Sequence, residues 1–189
     1  LTPKASRWLL DRALSKLLLL DDQGQPLQVL APPPAMLRPQ DVVAGPSQIF
    51  VSDGYLHRIL IFSLTGQFLT AFGQNGLLNY PRGMAIDAQQ RLHVVDAGTS
   101  RVVIFSLDGR FISSYGQGLF SHARGLDISR DGLIAISDSV GQLIHLFSPQ
   151  LNPVGNFSPT WQGQRLAPLD LHFTPTGTIQ ILAEPVVSL

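Results

Sequence analysis

Arg91-Leu92-His93-Val94-Val95-Asp96, then Arg101-Val102-Val103-Ile104-Phe105-Ser106, then Gly109-Arg110-Phe111-Ile112-Ser113-Ser114-Tyr115-Gly116, is the stretch whose reading decides the fold. The preceding part of the chain repeats it as Ile49-Phe50-Val51-Ser52-Asp53, Arg58-Ile59-Leu60-Ile61-Phe62-Ser63 and Gly66-Gln67-Phe68-Leu69-Thr70-Ala71-Phe72-Gly73. Asp11, Asp53, Asp96 and Asp138 step by 42, 43 and 42 residues, and Phe62, Phe105 and Phe147 step by 43 and 42. A period held to within one residue marks a repeat architecture.

Each unit reads as four short strands separated by turn residues. Around the quoted stretch they are Gly83 to Asp87, Arg91 to Val95, Arg101 to Ser106 and Arg110 to Tyr115, with turns at Ala88-Gln89-Gln90, Asp96-Ala97-Gly98 and Asp108-Gly109. Four strands in a unit of about 42 residues is the size of a propeller blade. Val102-Val103-Ile104-Phe105 and Ile59-Leu60-Ile61-Phe62 are apolar without alternation, so both faces of those strands are expected to be covered, as when blade packs on blade.

Composition agrees. Only Lys4 and Lys16 are lysine among 13 basic residues and Glu184 is the sole glutamate, whereas Gly 17 and Pro 14 favour turns; the composition is all-β. Thirteen acidic residues balance the 13 basic ones, which argues against nucleic acid or an anionic membrane as the main partner. With Cys 0 there is no disulfide framework, thiolate nucleophile or Cys-ligated zinc. Leu17 to Leu20 is far too short to span a bilayer. The first residue is Leu1 rather than Met, so a leader or a longer N-terminal segment is expected, and an exported or periplasmic bacterial location is favoured over the cytoplasm.

The recurring Asp after the second strand, followed five residues later by Lys16, Arg58 or Arg101, is expected to accept backbone N–H groups of the tight turn and to pair with the cation across the hairpin. After Asp138 that slot holds Leu143, which forfeits the pair. Asp11, Asp53, Asp96, Asp138, Arg58 and Arg101 therefore read as structural: chemistry needs one copy, and this pattern recurs in blade after blade.

These segments, together with Pro81-Arg82-Gly83-Met84-Ala85-Ile86-Asp87 and Arg124-Gly125-Leu126-Asp127-Ile128, resemble the NHL-repeat family. The resemblance runs from about Trp8 to Ala183 and implies a β-propeller, most often six-bladed in that family. It implies no reaction, since members include protein-binding scaffolds, RNA binders and a few lyases. The lyase members use a histidine-lined metal in the channel, and related lactonases use Glu, Asn and Asp around calcium. Here His57, His93, His122, His145 and His172 stand at positions unrelated by the repeat, and Glu184 lies near the terminus. No metal or cofactor is therefore expected. His93 and His145 are expected to sit partly covered between or beside blades. No nucleophile-elbow, zincin, Walker or dinucleotide motif occurs, and no catalytic residue is assigned.

The length of 189 residues holds about 4.5 units of 42: an incomplete first blade at 8–30, blades at 39–73, 81–116 and 123–157, and an incomplete last blade at 166–189. The expectation is one domain over 1–189, an all-β, NHL-like propeller of about four to four and a half blades, either closed or a partial or open ring of a six-bladed type.

Convergent residues occur just before each first strand. Arg38, Tyr80 and His122 share one slot, Gln40, Arg82 and Arg124 lie two residues later, and Arg165 falls near the corresponding place in the last unit. Arg and Tyr are enriched at binding hot spots, so Arg38, Tyr80, Arg82, His122, Arg124 and Arg165 form a candidate binding rim, although Arg here also suits the turn that leads into the strand. The Pro-rich Ala31 to Pro39 reads as a rigid connector or a ligand arm. The function expected from sequence is a non-enzymatic scaffold making protein–protein contacts in a multi-subunit, envelope-associated or exported assembly. The alternatives are a metal-dependent lyase or lactonase in the channel, and an RNA-binding propeller.

Overall fold

The four-strand periodicity folds as blade-like antiparallel sheets. A computed structural model describes residues 7–30, 36, 38–74 and 76–186, so most of the Pro-rich stretch Ala31 to Pro39 lies outside the described residues. By its contacts the chain divides into two compact units, Leu1–Pro81 and Arg82–Leu189.

The first unit carries β1 (Arg7–Asp11), β2 (Lys16–Leu20) and β3 (Pro26–Leu30) in one sheet, then β4 (Pro39–Ala44), β5 (Gln48–Asp53), β6 (Arg58–Ser63) and β7 (Phe68–Phe72) in a second. The third sheet, β8 (Pro81–Ile86), β9 (Arg91–Asp96), β10 (Arg101–Ser106) and β11 (Phe111–Tyr115), opens the second unit. It is followed by β12 (Ala123–Ile128), β13 (Ile134–Asp138), β14 (Leu143–Phe147) and β15 (Pro153–Phe157). A last sheet holds β16 (Thr160–Trp161), β17 (Gln164–Phe173) and β18 (Ile179–Pro185).

The fold is thus an all-β propeller with five blade sheets, which among the described residues hold three, four, four, four and three strands. The repeat count of four and a half becomes five because each partial unit forms a sheet of its own. The last sheet gains a strand that the repeat does not contain. Gln162 and Gly163, both at positive φ (49° and 80°), make a two-residue hairpin turn that joins β16 to an early start of β17.

The unalternating apolar strands are covered on both faces. Ile59, Leu60 and Phe62 on β6, Val102, Val103, Ile104 and Phe105 on β10, and Ala135 and Ile136 on β13 are 0% exposed. Leu17, Ile49, Val51, Leu60 and Phe62 centre the core of the first unit. In the second unit Val102, Ile104, Leu126, Ile136 and Phe147 form one cluster, and Ala135, Ile144, Leu171 and Phe173 form another.

The turns repeat as faithfully as the strands. Ser15, His57, Ser100 and Gln142, each just before a third strand, are all left-handed, with φ of 51°, 53°, 50° and 55°. Gly132 and Gly177 take φ of 83° and 84° at the last residue of the turn between first and second strands, and Gln90 takes 59° in the turn of the third blade. A side chain in that conformation costs roughly 1–2 kcal/mol. Gln90 is exposed and loses no packing on replacement. Gln90→Gly is therefore expected to raise stability by about 1 kcal/mol in urea denaturation, part of the strain relief being offset by the looser unfolded chain.

Glycine in the Pro-x-Gly motif has a steric cause. A Cβ on Gly83 would lie 2.5 Å from the Arg124 carbonyl oxygen, 2.8 Å from the Leu126 nitrogen and 2.9 Å from the Gly125 Cα. The first strands of the third and fourth blades therefore meet backbone to backbone at this point. One period on, a Cβ on Gly125 would run into the Asp170 side chain and lie 2.9 Å from the Asp170 Cα.

Candidate functional site

The repeat Asp fixes the rim slot. In the fourth blade the buried Asp138 carboxylate accepts hydrogen bonds from the backbone N–H groups of Ser121 (2.6 Å), His122 (2.8 Å) and Gly141 (2.9 Å). The His122 carbonyl in turn accepts the Ser139 N–H at 3.1 Å. The second blade does the same: Asp53 Oδ1 accepts the Arg38 N–H at 3.2 Å, and the Arg38 carbonyl accepts the Gly54 N–H at 3.0 Å. The slot residue is thus clamped on both backbone groups and its side chain is left for other work.

The cations opening the third strands close the same motif. Arg58 lies 3.6 Å from Asp53 and Arg101 3.2 Å from Asp96. In the fourth blade, where Leu143 leaves no cation, His145 from the next inward position of β14 brings Nε2 to 3.6 Å from Asp138 Oδ2. Burial alone would raise the Asp138 pKa. The nearby His145 ring and the hydrogen bonds from the Gly141, Ser121 and His122 amides outweigh burial and hold the carboxyl at about 2.

Of the rim residues, Arg38 and Tyr80 belong to the first unit and Arg82, His122, Arg124 and Arg165 to the second. In the first unit the Arg38 guanidinium carbon lies 5.9 Å from the centroid of the Tyr80 ring, and the Tyr80 N–H donates to His57 Nδ1 at 2.9 Å. In the second unit Arg82, His122 and Arg124 form a group in which each residue is partly exposed. Burial lowers the His122 pKa below the ordinary imidazole value, the Arg82 and Arg124 charges push it lower, and Asp138 only partly opposes them. Arg165 is exposed on the β16–β17 hairpin, opposite Thr160.

That grouping has a clear chemistry. An imidazole that stays unprotonated at neutral pH, with two guanidinium charges pressing on it, is a place where an added carboxylate lowers the electrostatic energy. It could hold an anion or accept a proton from a carbon next to a bound carboxyl or carbonyl group. Among the described residues no three His, Asp or Glu side chains are grouped to hold a metal ion, so the donor set does not fit a histidine-lined metal.

Two further polar assemblies had no motif to announce them. His172 Nδ1 lies 2.8 Å from Asp127 Oδ2, an oxygen that also accepts the Phe173 N–H at 2.7 Å. The other lies in the third blade. There His93 is 1% exposed and its Nε2 stands 3.0 Å from Asp87 Oδ2. His93 Nδ1 stands 3.2 Å from the Tyr115 hydroxyl, and Arg91 Nε donates to Asp87 Oδ2 at 2.6 Å. Burial pushes the His93 pKa down and the Tyr115 pKa up. The available signal was departure from the repeat, since His93 occupies the strand position held by Phe50 and Ala135.

No protein-family model matches the chain, and no curated protein matches it in sequence. Solved structures do. One described as a streptogramin B lyase superposes with a TM-score of 0.75 at 14% identity, over 96% of this chain and 59% of that one. A catalytically inactive histidine-to-alanine variant of virginiamycin B lyase from Staphylococcus aureus, with quinupristin, gives 0.71 at 13% identity, over 95% of this chain and 66% of that one. A functionally unknown protein from Desulfotomaculum acetoxidans gives 0.71 at 15%, over 95% and 60%. The chain thus spans about three fifths of the length of the streptogramin B lyase, 59%.

These likenesses correct the expectation of a non-enzymatic protein. Enzymes stand among the structures that share the fold, so neither the lack of a linear motif nor the scatter of the histidines along the repeat sets catalysis aside. A propeller site is assembled from loops of different blades, so it leaves no such motif. At these identities the comparison establishes architecture: this chain folds as a β-propeller of the kind found in the streptogramin B lyases.

Proposed function

We propose that this chain is an anion-recognising, NHL-like propeller whose rim at Arg82, His122 and Arg124 takes a carboxylate, and that its natural occupant is an acidic segment of a protein partner in a larger assembly. The observation that carries this reading is the combination at one slot: a backbone clamped to Asp138 and an imidazole pressed by two guanidinium charges. Arg is suited to the role because its planar fork meets both carboxylate oxygens at once. The neutral overall charge favours a local, geometric anion site over a nucleic-acid track.

Calorimetric titration with a poly-glutamate peptide, against poly-glutamine as control, tests it. Saturable, salt-sensitive binding of the acidic peptide alone is expected, about tenfold weaker or more in Arg82→Gln and in Arg124→Gln. Equal affinity for both peptides, or tighter binding of an RNA oligonucleotide than of the acidic peptide, overturns the reading.

A second reading, lyase-type proton abstraction at the same rim, is favoured by the lowered pKa of His122 and by a virginiamycin B lyase that is inactive when a histidine is replaced. Here His122 takes the proton while Arg82 and Arg124 hold the charge that develops on oxygen. Incubation with quinupristin and mass spectrometry of the product tests it. Conversion that disappears in His122→Gln supports it, and an unaltered compound rules out this substrate.

A further inference from the structure

At the opposite end of the strands from the rim, the turns between first and second strands of the third and fourth blades flank a cleft of about 200 Å³. One wall is Asp87, Ala88, Gln89, Arg91 and His93; the facing wall runs from Ile128 to Gly132, with Ile134 and Pro149.

Three repeat positions behind this cleft carry polar groups that the fold does without elsewhere. At the start of the turn, Ser129 and Thr174 each use one side-chain oxygen to accept the N–H four residues on, at 2.9 and 3.1 Å. Asp87 Oδ1 does the same for Arg91 at 2.9 Å, which leaves Oδ2 as an additional acceptor. That oxygen holds Arg91 Nε and His93 Nε2. His93 stands where the other blades have Phe50 and Ala135. Tyr115 stands opposite Val102, as Phe72 stands opposite Ile59 and Phe157 opposite Ile144, and only Tyr115 adds a hydroxyl.

The additions link into one chain, Tyr115 to His93 to Asp87 to Arg91. It ends at the only member with substantial exposure, the Arg91 side chain at 30%. A buried polar network in place of Phe or Ala costs desolvation, and what it returns is a fixed orientation of its terminal group. Arg130 adds a second, exposed guanidinium on the facing wall, beside the exposed Asp131 carboxylate that lines the same cleft, so the attraction for an anion is local to the guanidinium N–H groups rather than a net positive charge. The Asp87 charge is already matched by Arg91, and Ala88, Ile128, Ile134 and Pro149 supply apolar lining. The volume is below the ~300–1,000 Å³ of pockets for drug-sized ligands and suits a smaller molecule.

We propose that this cleft is a second ligand site, in which Arg91, oriented by Asp87, His93 and Tyr115, binds the carboxylate of a small organic acid whose compact apolar body packs on Ile128, Ile134 and Pro149. Arg91 and Arg130 are the binding residues; His93 is a positioning residue.

Sodium isovalerate is the probe, and the Arg91 Nε–Hε signal in proton–nitrogen NMR is the readout. A saturable shift at millimolar probe is expected. Arg91→Gln and Arg91→Lys both weaken binding about tenfold or more, since lysine keeps the charge and loses the fork. His93→Gln keeps both guanidinium groups, shifts the Arg91 Nε–Hε signal of the apo protein and weakens binding several-fold, a pattern that loss of a merely structural contact would not give. Thermal unfolding of each variant confirms that it is folded, and the Lys and His93 variants carry the test where Arg91→Gln is not. No saturable shift, undiminished binding in Arg91→Lys, or inorganic phosphate binding as tightly as isovalerate overturns the proposal.

Discussion

Gly83→Ala is expected to lower the stability of the second unit by about 3 kcal/mol or more, a fall of roughly 10 °C in midpoint for a chain of this size. The added Cβ falls within 3.0 Å of three backbone atoms, the Arg124 oxygen, the Leu126 nitrogen and the Gly125 Cα. Ordinary overpacking is relieved by a change of rotamer, but here every clashing atom is backbone of β12, where Leu126 pairs with β13 and the Gly125 N–H is held by the Ser137 hydroxyl. Relief requires β8 and β12 to separate where Arg82 and Arg124 flank them. The substitution is therefore also expected to weaken acidic-peptide binding at temperatures where the protein remains folded. Urea denaturation checks the first effect, and an unchanged midpoint would mean that the strands do not approach as described.

Asp138→Ala is expected to cost about 3 kcal/mol and to impair the rim as well. It orphans the amides of Ser121, His122 and Gly141 and removes the partner of His145. Each buried donor left without an acceptor costs about 1–3 kcal/mol, toward the lower end where water can reach it. The same carboxyl gives the effect a pH signature. Its pKa is depressed from 3.8 to about 2 in the folded chain, so the stability it contributes is complete above 3.8 and is lost as pH falls through about 2. The shift corresponds to about 2 kcal/mol. Wild-type protein should show this acid-dependent loss in urea titrations between those values, and Asp138→Ala should lack that component. Because the loop that carries His122 and leads into β12 and Arg124 hangs on Asp138, peptide affinity should fall in the variant even at neutral pH, where folding is still complete.

The blade architecture was legible because its cause is periodic. Asp53, Asp96 and Asp138 organise equivalent turns, and Phe62, Phe105 and Phe147 fill equivalent core positions, so a strict spacing in sequence becomes a strict spacing in space. The β16–β17 hairpin was missed because Gln-Gly at 162–163 is a quieter turn signal than Asn-Gly and falls where the repeat has a loop. The proposed rim was legible in the sequence only as repeat positions. Repeat logic put Arg38, Tyr80 and His122 in one slot and Arg82 and Arg124 two residues later, and gathered Arg165 with them into one rim. Arg165 instead stands on the hairpin that the repeat does not contain. The Arg91–Asp87–His93–Tyr115 chain was hidden, since its members lie 4, 6 and 22 residues apart and no period joins them. It shows in sequence only as three positions at which one blade departs from its neighbours. In a repeat protein the recurring residues report on the fold, and the single-copy departures are where a site is to be sought.

The most direct test of an anion-recognising rim is the titration of the His122 ring followed by NMR, in the free protein, in Arg82→Gln and Arg124→Gln, and with poly-glutamate peptide present. We expect His122 to titrate below the ordinary histidine value in the free protein. Its pKa should rise when either guanidinium is removed, because a repelling charge is gone, and rise when the peptide binds, because a carboxylate stabilises the protonated ring. A His122 that titrates at the ordinary value and responds neither to the arginine substitutions nor to the peptide would contradict the proposed site.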